Sequence, residues 1–291
     1  MVTNCTEVYL IAKPSPVRDL LRGLLEIRER VGPAPKSGSP ADVEKQAFAR
    51  PESVATAFLG GLVATEVAMD HLFALDLLIA SGESALAPWT CSRGLLESSA
   101  TATWLLDTRI NVTERVGRSM AIRYATFMAQ RTLANVDGDA ELVATIDHRV
   151  EEVADIATQL GYPPILDKIG RRLSIGRQKP SITNLIDQQF DLQKVYRILC
   201  GVAHCDTVTV SQLGFETVVG VETDGIVKRL AVDHAMQSML LAMGVEVYAR
   251  AVWLHMVQYG CNLTDAARLL DTAYGMLGLD DRDDVRFWRS R

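Results

Sequence analysis

Residues 51–80 read PESVATAFLGGLVATEVAMDHLFALDLLIA, and this stretch decides the fold. Its apolar residues recur every three or four positions, the spacing of a helix, whereas a half-buried strand would alternate them. Pro51 opens the segment, because its fixed φ suits a first helical turn and its missing N–H is not needed there. Ser81-Gly82 closes it, and Gly60-Gly61 allows either a bend or a close contact with another helix. The length suffices for a bilayer span, but Glu66, Asp70, His71 and Asp76 would be costly at its centre. The segment therefore predicts one long helix inside a helical protein outside the membrane.

Working outward, the same signals recur. Pro16 suits the first turn of a helix to about Val31, and the Pro-, Gly- and Ser-rich stretch from Gly32 to Pro40 reads as a linker. Pro88 opens a helix to Asp107. Asn111 with Glu114 resembles a capping box for a helix to about Asn135, and Asp139 starts another that Gly161 stops after Leu160. Ser181 and Asp191 read as N-caps of two short helices, the second from Leu192 to about Cys205. Thr207–Val210 and Phe215–Val221 are strand-like, with Asp224-Gly225 as a turn. A long helix from Leu230 to Tyr259, a shorter one after Thr264 and a charged tail from Asp280 complete the chain. The expected fold is all-α, a helical bundle of about seven to nine helices with at most one small β-hairpin. Residues 1–50 form a mobile N-terminal helical arm and linker in this reading, and residues 51–291 form the helical domain.

The 291 residues are 48% hydrophobic and 23% charged, an ordinary globular composition with length enough for a sizeable core. A formal net charge of −6 excludes a surface that is basic throughout, while leaving room for one local basic groove. The odd set of cysteines, Cys5, Cys91, Cys200, Cys205 and Cys261, lacks any C-x-x-C spacing and fits a reduced compartment. With no signal-peptide pattern in residues 1–16, a cytoplasmic protein is expected. No Walker loop, dinucleotide fingerprint or G-x-S-x-G elbow is present, so no cofactor is implied.

Chemistry concentrates in residues 191–206, DLQKVYRILCGVAHCD. At about 100° per residue, Leu192, Val195, Leu199, Val202 and Ala203 share the core side, while Arg197 and His204 share the other with Gly201 between them. A helical glycine costs roughly 1 kcal/mol against alanine, so Gly201 marks a close approach of a ligand or another helix. An arginine that holds an anion and an imidazole that moves a proton near neutral pH suit phosphate chemistry. Asp206 is placed to orient the ring. Equally, Arg and His are what any solvated helix face contains.

Other candidates have plain readings too. Arg93 and Glu97 are one turn apart, with Trp104 on the same stripe, the pattern of a helix-stabilising ion pair or, if buried, a site wall. Glu66, Asp70, His71, Glu97, His148 and Glu246 offer carboxylates and imidazoles for a bundle metal site, but the Glu-x-x-His spacing is absent. Cys200 and His204 give at most half of a zinc site. Lys168, Arg171, Arg172, Arg177 and Lys179 face one acid, Asp167, between residues 165 and 180, either a solvated loop or an RNA contact.

The Arg, six residues, His spacing on a late helix resembles the HEPN superfamily. The stretch CSRGLLESSATATW over residues 91–104 resembles the Arg-x-x-x-Glu helix of related bacterial domains that end in a Tyr…His helix, where Tyr196 would be the tyrosine. The likeness covers roughly residues 51–259. It implies an α-helical homodimer, and either a metal-independent endoribonuclease or a module that binds nucleotides or a partner. It further implies that Arg197 and His204, paired across the dimer with Asp206 nearby, promote attack of a ribose 2′-hydroxyl on the adjacent phosphate. Tyr196, Arg93, Glu97, Arg171 and Arg172 would then contact RNA or a nucleotide, with no metal bound. A helical-bundle metalloenzyme is the remaining alternative.

Overall fold

The computed structural model describes residues 15–217 and 228–279. In chain order these form α1 (Pro16–Glu29), α2 (Pro40–Ala47), α3 (Pro51–Ser81), α4 (Ala87–Leu106), α5 (Val112–Asp137) and α6 (Ala140–Gln159). A two-stranded ladder follows, β1 (Ile165–Leu166) with β2 (Arg172–Ser174), then α7 (Ile182–Phe190), α8 (Gln193–Ala203) and α9 (Thr207–Leu213). A second ladder pairs β3 (Phe215–Thr217) with β4 (Lys228–Leu230), and α10 (His234–Tyr259) and α11 (Leu263–Met276) close the described chain. The fold is all-α as expected.

At the centre, α3 lies against α4, and α10 packs on both. Leu72 and Leu75 of α3, Leu95 and Leu96 of α4 and Val245 of α10 are all fully buried there. Gly61 sets the α3–α4 distance: a Cβ at that position would fall 2.6 Å from the Leu106 side chain. Gly61→Ala is therefore expected to destabilise the protein by about 1–3 kcal/mol through overpacking, read as a lower urea midpoint at an unchanged slope. By length and composition α10 is the one described helix that could cross a membrane, but Tyr248, Val252, Trp253 and Met256 are buried among its neighbours.

Three of the cap signals act where the sequence puts them. The side chains of Asn111, Asp139 and Ser181 accept hydrogen bonds from the N–H groups of Glu114, Leu142 and Asn184. Asp191 is a correction: it ends α7 in a left-handed conformation, φ 57°, and α8 starts after Leu192 without a side-chain cap. A second correction concerns Thr207–Val210, which is helical rather than extended. Asp206 caps that helix, accepting from Thr209 N–H at 3.4 Å and from its hydroxyl at 2.5 Å. Thr209 then rests against Gly201, so the β-branched preference yields to a cap and a tertiary contact. The expected turn at Asp224-Gly225 and the tail from Asp280 lie outside the described residues.

Eleven described helices exceed the expected seven to nine, because α2 and α9 are short pieces without a long periodic pattern. The β1–β2 ladder was not expected either. Its turn is organised by Asp167, whose carboxylate accepts from the backbone N–H of Ile169 and of Arg171. Of the segment read as a mobile arm, the described part, residues 15–50, is packed: Leu20, Leu21, Leu24 and Ile27 of α1 are buried, and α1 lies against α3 and α11. Arg18 donates to Asp76 at 2.7 Å inside this interface, and Ser15 donates to the other carboxylate oxygen. The linker is tied down as well, with Lys36 N–H donating to the Tyr259 carbonyl at 3.1 Å.

Candidate functional site

Helices α4 and α8 lie side by side and bring together four residues from two distant stretches. On α4, Arg93 and Glu97 are one turn apart, and Arg93 Nε donates to Glu97 Oε1 at 2.8 Å. On α8, Tyr196 points inward, 3% exposed, and its hydroxyl donates to the same Oε1 at 2.7 Å. Just past the end of α8, His204 Nε2 sits 3.1 Å from Arg93 Nη1. Arginine has no acceptor, so Nε2 is the unprotonated nitrogen and the ring proton is on Nδ1.

The cluster is graded from buried to open. Burial, together with the bonded Glu97 carboxylate, pushes the Tyr196 phenol well above its ordinary range, so it is a fixed donor and not an acid. The Glu97 hydrogen bond raises the Arg93 guanidinium further, so its charge is permanent. Arg93 and Glu97 side chains are 25% and 34% exposed, and His204 is exposed. A ligand thus meets the Arg93 fork and the imidazole first, with Glu97 and Tyr196 behind them as the support that aims the guanidinium.

Of the residues expected from sequence, Arg93, Glu97, Tyr196 and His204 converge. The others do not. Arg197 is exposed and makes no hydrogen bond or ion pair among the described residues, so the arginine that meets His204 in this chain is Arg93. Asp206 serves as the cap of α9 and does not bond the imidazole. Gly201 admits Thr209, a neighbouring helix and not a ligand. Trp104 is buried farther along α4, with Arg118 stacked on it.

The basic segment is largely neutralised. Arg171 pairs with Asp167 at 2.8 Å, Arg172 forks onto Glu151 at 2.8 and 3.1 Å, and Arg177 reaches Glu114. These bonds hold the Glu151 and Asp167 carboxyls below the usual carboxylate range. The ladder that carries Arg172 packs on α5, whereas the His204 cluster belongs to α4 and α8, so Arg171 and Arg172 are not part of it.

The residues weighed for a metal are dispersed. Glu66 pairs with Arg28, His148 lies 3.4 Å from Glu152, and the His71 ring abuts Gly94, where a Cβ would come within 2.4 Å of it. Among the described residues no three His, Cys, Asp or Glu side chains converge as a metal site. Family models, curated proteins and solved structures yield no match to this chain.

Proposed function

We propose that this is a HEPN-like helical protein that acts as a metal-independent endoribonuclease, with His204 and Arg93 as its reacting pair. The observation that carries the reading is the 3.1 Å approach of Arg93 to His204, held by the Arg93–Glu97–Tyr196 chain. In this resting arrangement the Nε2 lone pair is covered by Arg93. An incoming phosphodiester draws Arg93 Nη1 onto a phosphoryl oxygen, while Nε keeps its bond to Glu97 as a pivot. That movement frees Nε2 to take the proton of the 2′-hydroxyl. The 2′-oxygen to phosphorus bond forms and the bond to the 5′-oxygen breaks, the leaving oxygen taking a proton from water. The products are a 2′,3′-cyclic phosphate and a 5′-hydroxyl. The exposed ladder Leu59, Val63 and Val67 along α3 supports the homodimer expected of such a protein.

Purified protein in excess chelator is expected to cleave single-stranded or structured RNA, and His204→Ala is expected to slow cleavage by at least about a hundredfold. Arg93→Lys, which keeps the charge and loses the fork, is expected to fall between the two. Intact RNA after prolonged incubation with folded wild-type protein would end the reading. A second reading, nucleotide binding without turnover, draws on two observations: Arg93 already has Glu97, and Arg171 and Arg172 of the basic segment are spent on ion pairs. In that case His204→Ala weakens nucleotide binding while no variant, nor the wild type, turns RNA over.

A further inference from the structure

Two cations on α8 are left over by the His204 cluster. Arg197 and Lys194 are both exposed, and among the described residues neither side chain makes a hydrogen bond or an ion pair. Arg171, Arg172 and Arg177, by contrast, are held by Asp167, Glu151 and Glu114. Three residues apart, Lys194 and Arg197 are neighbours on one helix face. Arg197 precedes His204 by seven residues and Lys194 precedes it by ten, so they stand roughly 10 and 15 Å along α8 from the level of the imidazole.

The strip between them is bounded on both sides. On one flank α4 sends Arg93 past the Tyr196 ring, with the guanidinium carbon 6.0 Å from the ring centroid, to reach His204. On the other flank α9 folds back along α8. Thr209 rests against Gly201, and Leu213 shares an apolar wall with Val195 and Ile198. The outer surface of α8 thus runs between two helices, with Arg93 at one end and Arg197 and Lys194 at the other. Asp206, at the His204 end, is turned onto Thr209. Beyond Lys194 the sign reverses, because Asp191 and Asp187 are both exposed at the junction of α7 and α8.

A row of positive charge that leads to the reacting pair and is stopped by acids suits the backbone of one nucleic-acid strand. Phosphates of a stacked strand follow one another at roughly 3.4 Å of rise, so 10 to 15 Å covers about three to four steps. A mononucleotide reaches only Arg93 and His204. A duplex presents two strands, and α8 has cations for one. We propose that Arg197 and Lys194 form a phosphate-binding subsite that extends the His204 site to a single-stranded RNA segment of about five nucleotides. This inference rests on the RNA-cleaving reading of that site.

The probes are uridine 3′-monophosphate and labelled oligouridylates of increasing length, bound to the full-length His204→Ala protein and followed by fluorescence anisotropy, the monophosphate by competition. Affinity is expected to rise with length and to level off near about five nucleotides, where the acids at the start of α8 begin. For the longest strand, Lys194→Gln combined with Arg197→Gln is expected to weaken binding about tenfold. The slope of log affinity against log salt is expected to shrink by about 1.4, or about 0.7 for each lost phosphate contact. The monophosphate is expected to bind with and without these substitutions alike. A charge-matched control, Lys168→Gln with Arg171→Gln in the β1–β2 turn, is expected to change none of these values, which separates a subsite from general attraction to cations. Equal affinity for the monophosphate and the longest strand, an unchanged salt slope in the α8 double variant, or an equal loss in the control each overturns the subsite. Length-dependent binding that needs Lys194 and Arg197, in a protein whose wild type leaves RNA intact, would uphold the subsite and end the cleavage reading. Cleavage of long RNA with the same KM by wild type and by the α8 double variant would do the reverse.

Discussion

Acidification from pH 6.5 to pH 5 is expected to destabilise the folded protein by about 2 kcal/mol through His255 alone. The ring is neutral in the folded state down to about pH 3, because burial and the neighbouring Arg28 charge oppose its protonation. In the unfolded chain it takes a proton near its ordinary value of about 6.5. Above pH 6.5 both states hold the neutral ring, and the group adds no pH dependence. Between about 6.5 and 3 only the unfolded state is protonated, so stability falls with pH at about 1.4 kcal/mol per unit, to a total of about 5 kcal/mol. Below about 3 the folded state binds the proton too and the loss levels off.

The control is His255→Leu. Replacing an unpartnered buried polar group by an apolar one of similar volume is expected to be neutral or stabilising at pH 7. Urea midpoints of the two proteins at pH 7 and pH 5 then give the imidazole contribution by difference. The difference matters because carboxylates held low by arginine partners, such as Asp147 by Arg131 and Glu151 by Arg172, also lose those partners in acid. A wild-type acid limb no steeper than that of His255→Leu would show that the ring is solvated or bonded in solution.

The helices were legible because proline openings, capping residues and glycine stops are local signals, and Pro16, Pro51, Asn111, Asp139 and Ser181 all act where they stand. What failed were features set by contact between distant segments. Asp191 and Asp206 are both acids near helix ends, and only the packing of α9 on Gly201 decides that the second one is the cap. The site shows the same division. A helical wheel places Arg197 and His204 on one stripe, and it cannot see that His204 is the residue past the last turn of α8, turned toward α4. The Arg93–Glu97 spacing was visible as an ion pair. Its meeting with Tyr196, 99 residues away, was not something periodicity contains. His255 left no signal, since a lone histidine in an apolar helix reads the same whether it is satisfied, exposed or orphaned.

Arg115→Met is expected to cost about 3–5 kcal/mol, the largest single loss from any charged residue among those described. Arg115 is 1% exposed, and its guanidinium is satisfied from several sides. Nη1 donates to the Leu105 carbonyl and Nη2 to the Asp107 carbonyl at 3.1 Å, where the last turn of α4 has no further N–H to offer. Nε and Nη2 fork onto Glu44 of α2 at 2.9 and 3.1 Å, and the plane lies 4.8 Å over the Phe58 ring of α3. One side chain on α5 thus ends α4, docks α2 and packs on α3. Methionine keeps most of the volume, so the loss measures the two carbonyls and the Glu44 carboxylate left without their donor, not a cavity. Glu44 is 20% exposed and can take water in its place, whereas the Leu105 carbonyl has no such recourse. Glu44→Gln is accordingly expected to cost far less than Arg115→Met. Arg115→Lys, with a point charge in place of the fork, is expected to fall between them. Equal losses for Glu44→Gln and Arg115→Met in urea unfolding would show that the α2 ion pair, and not the end of α4, is what the arginine holds.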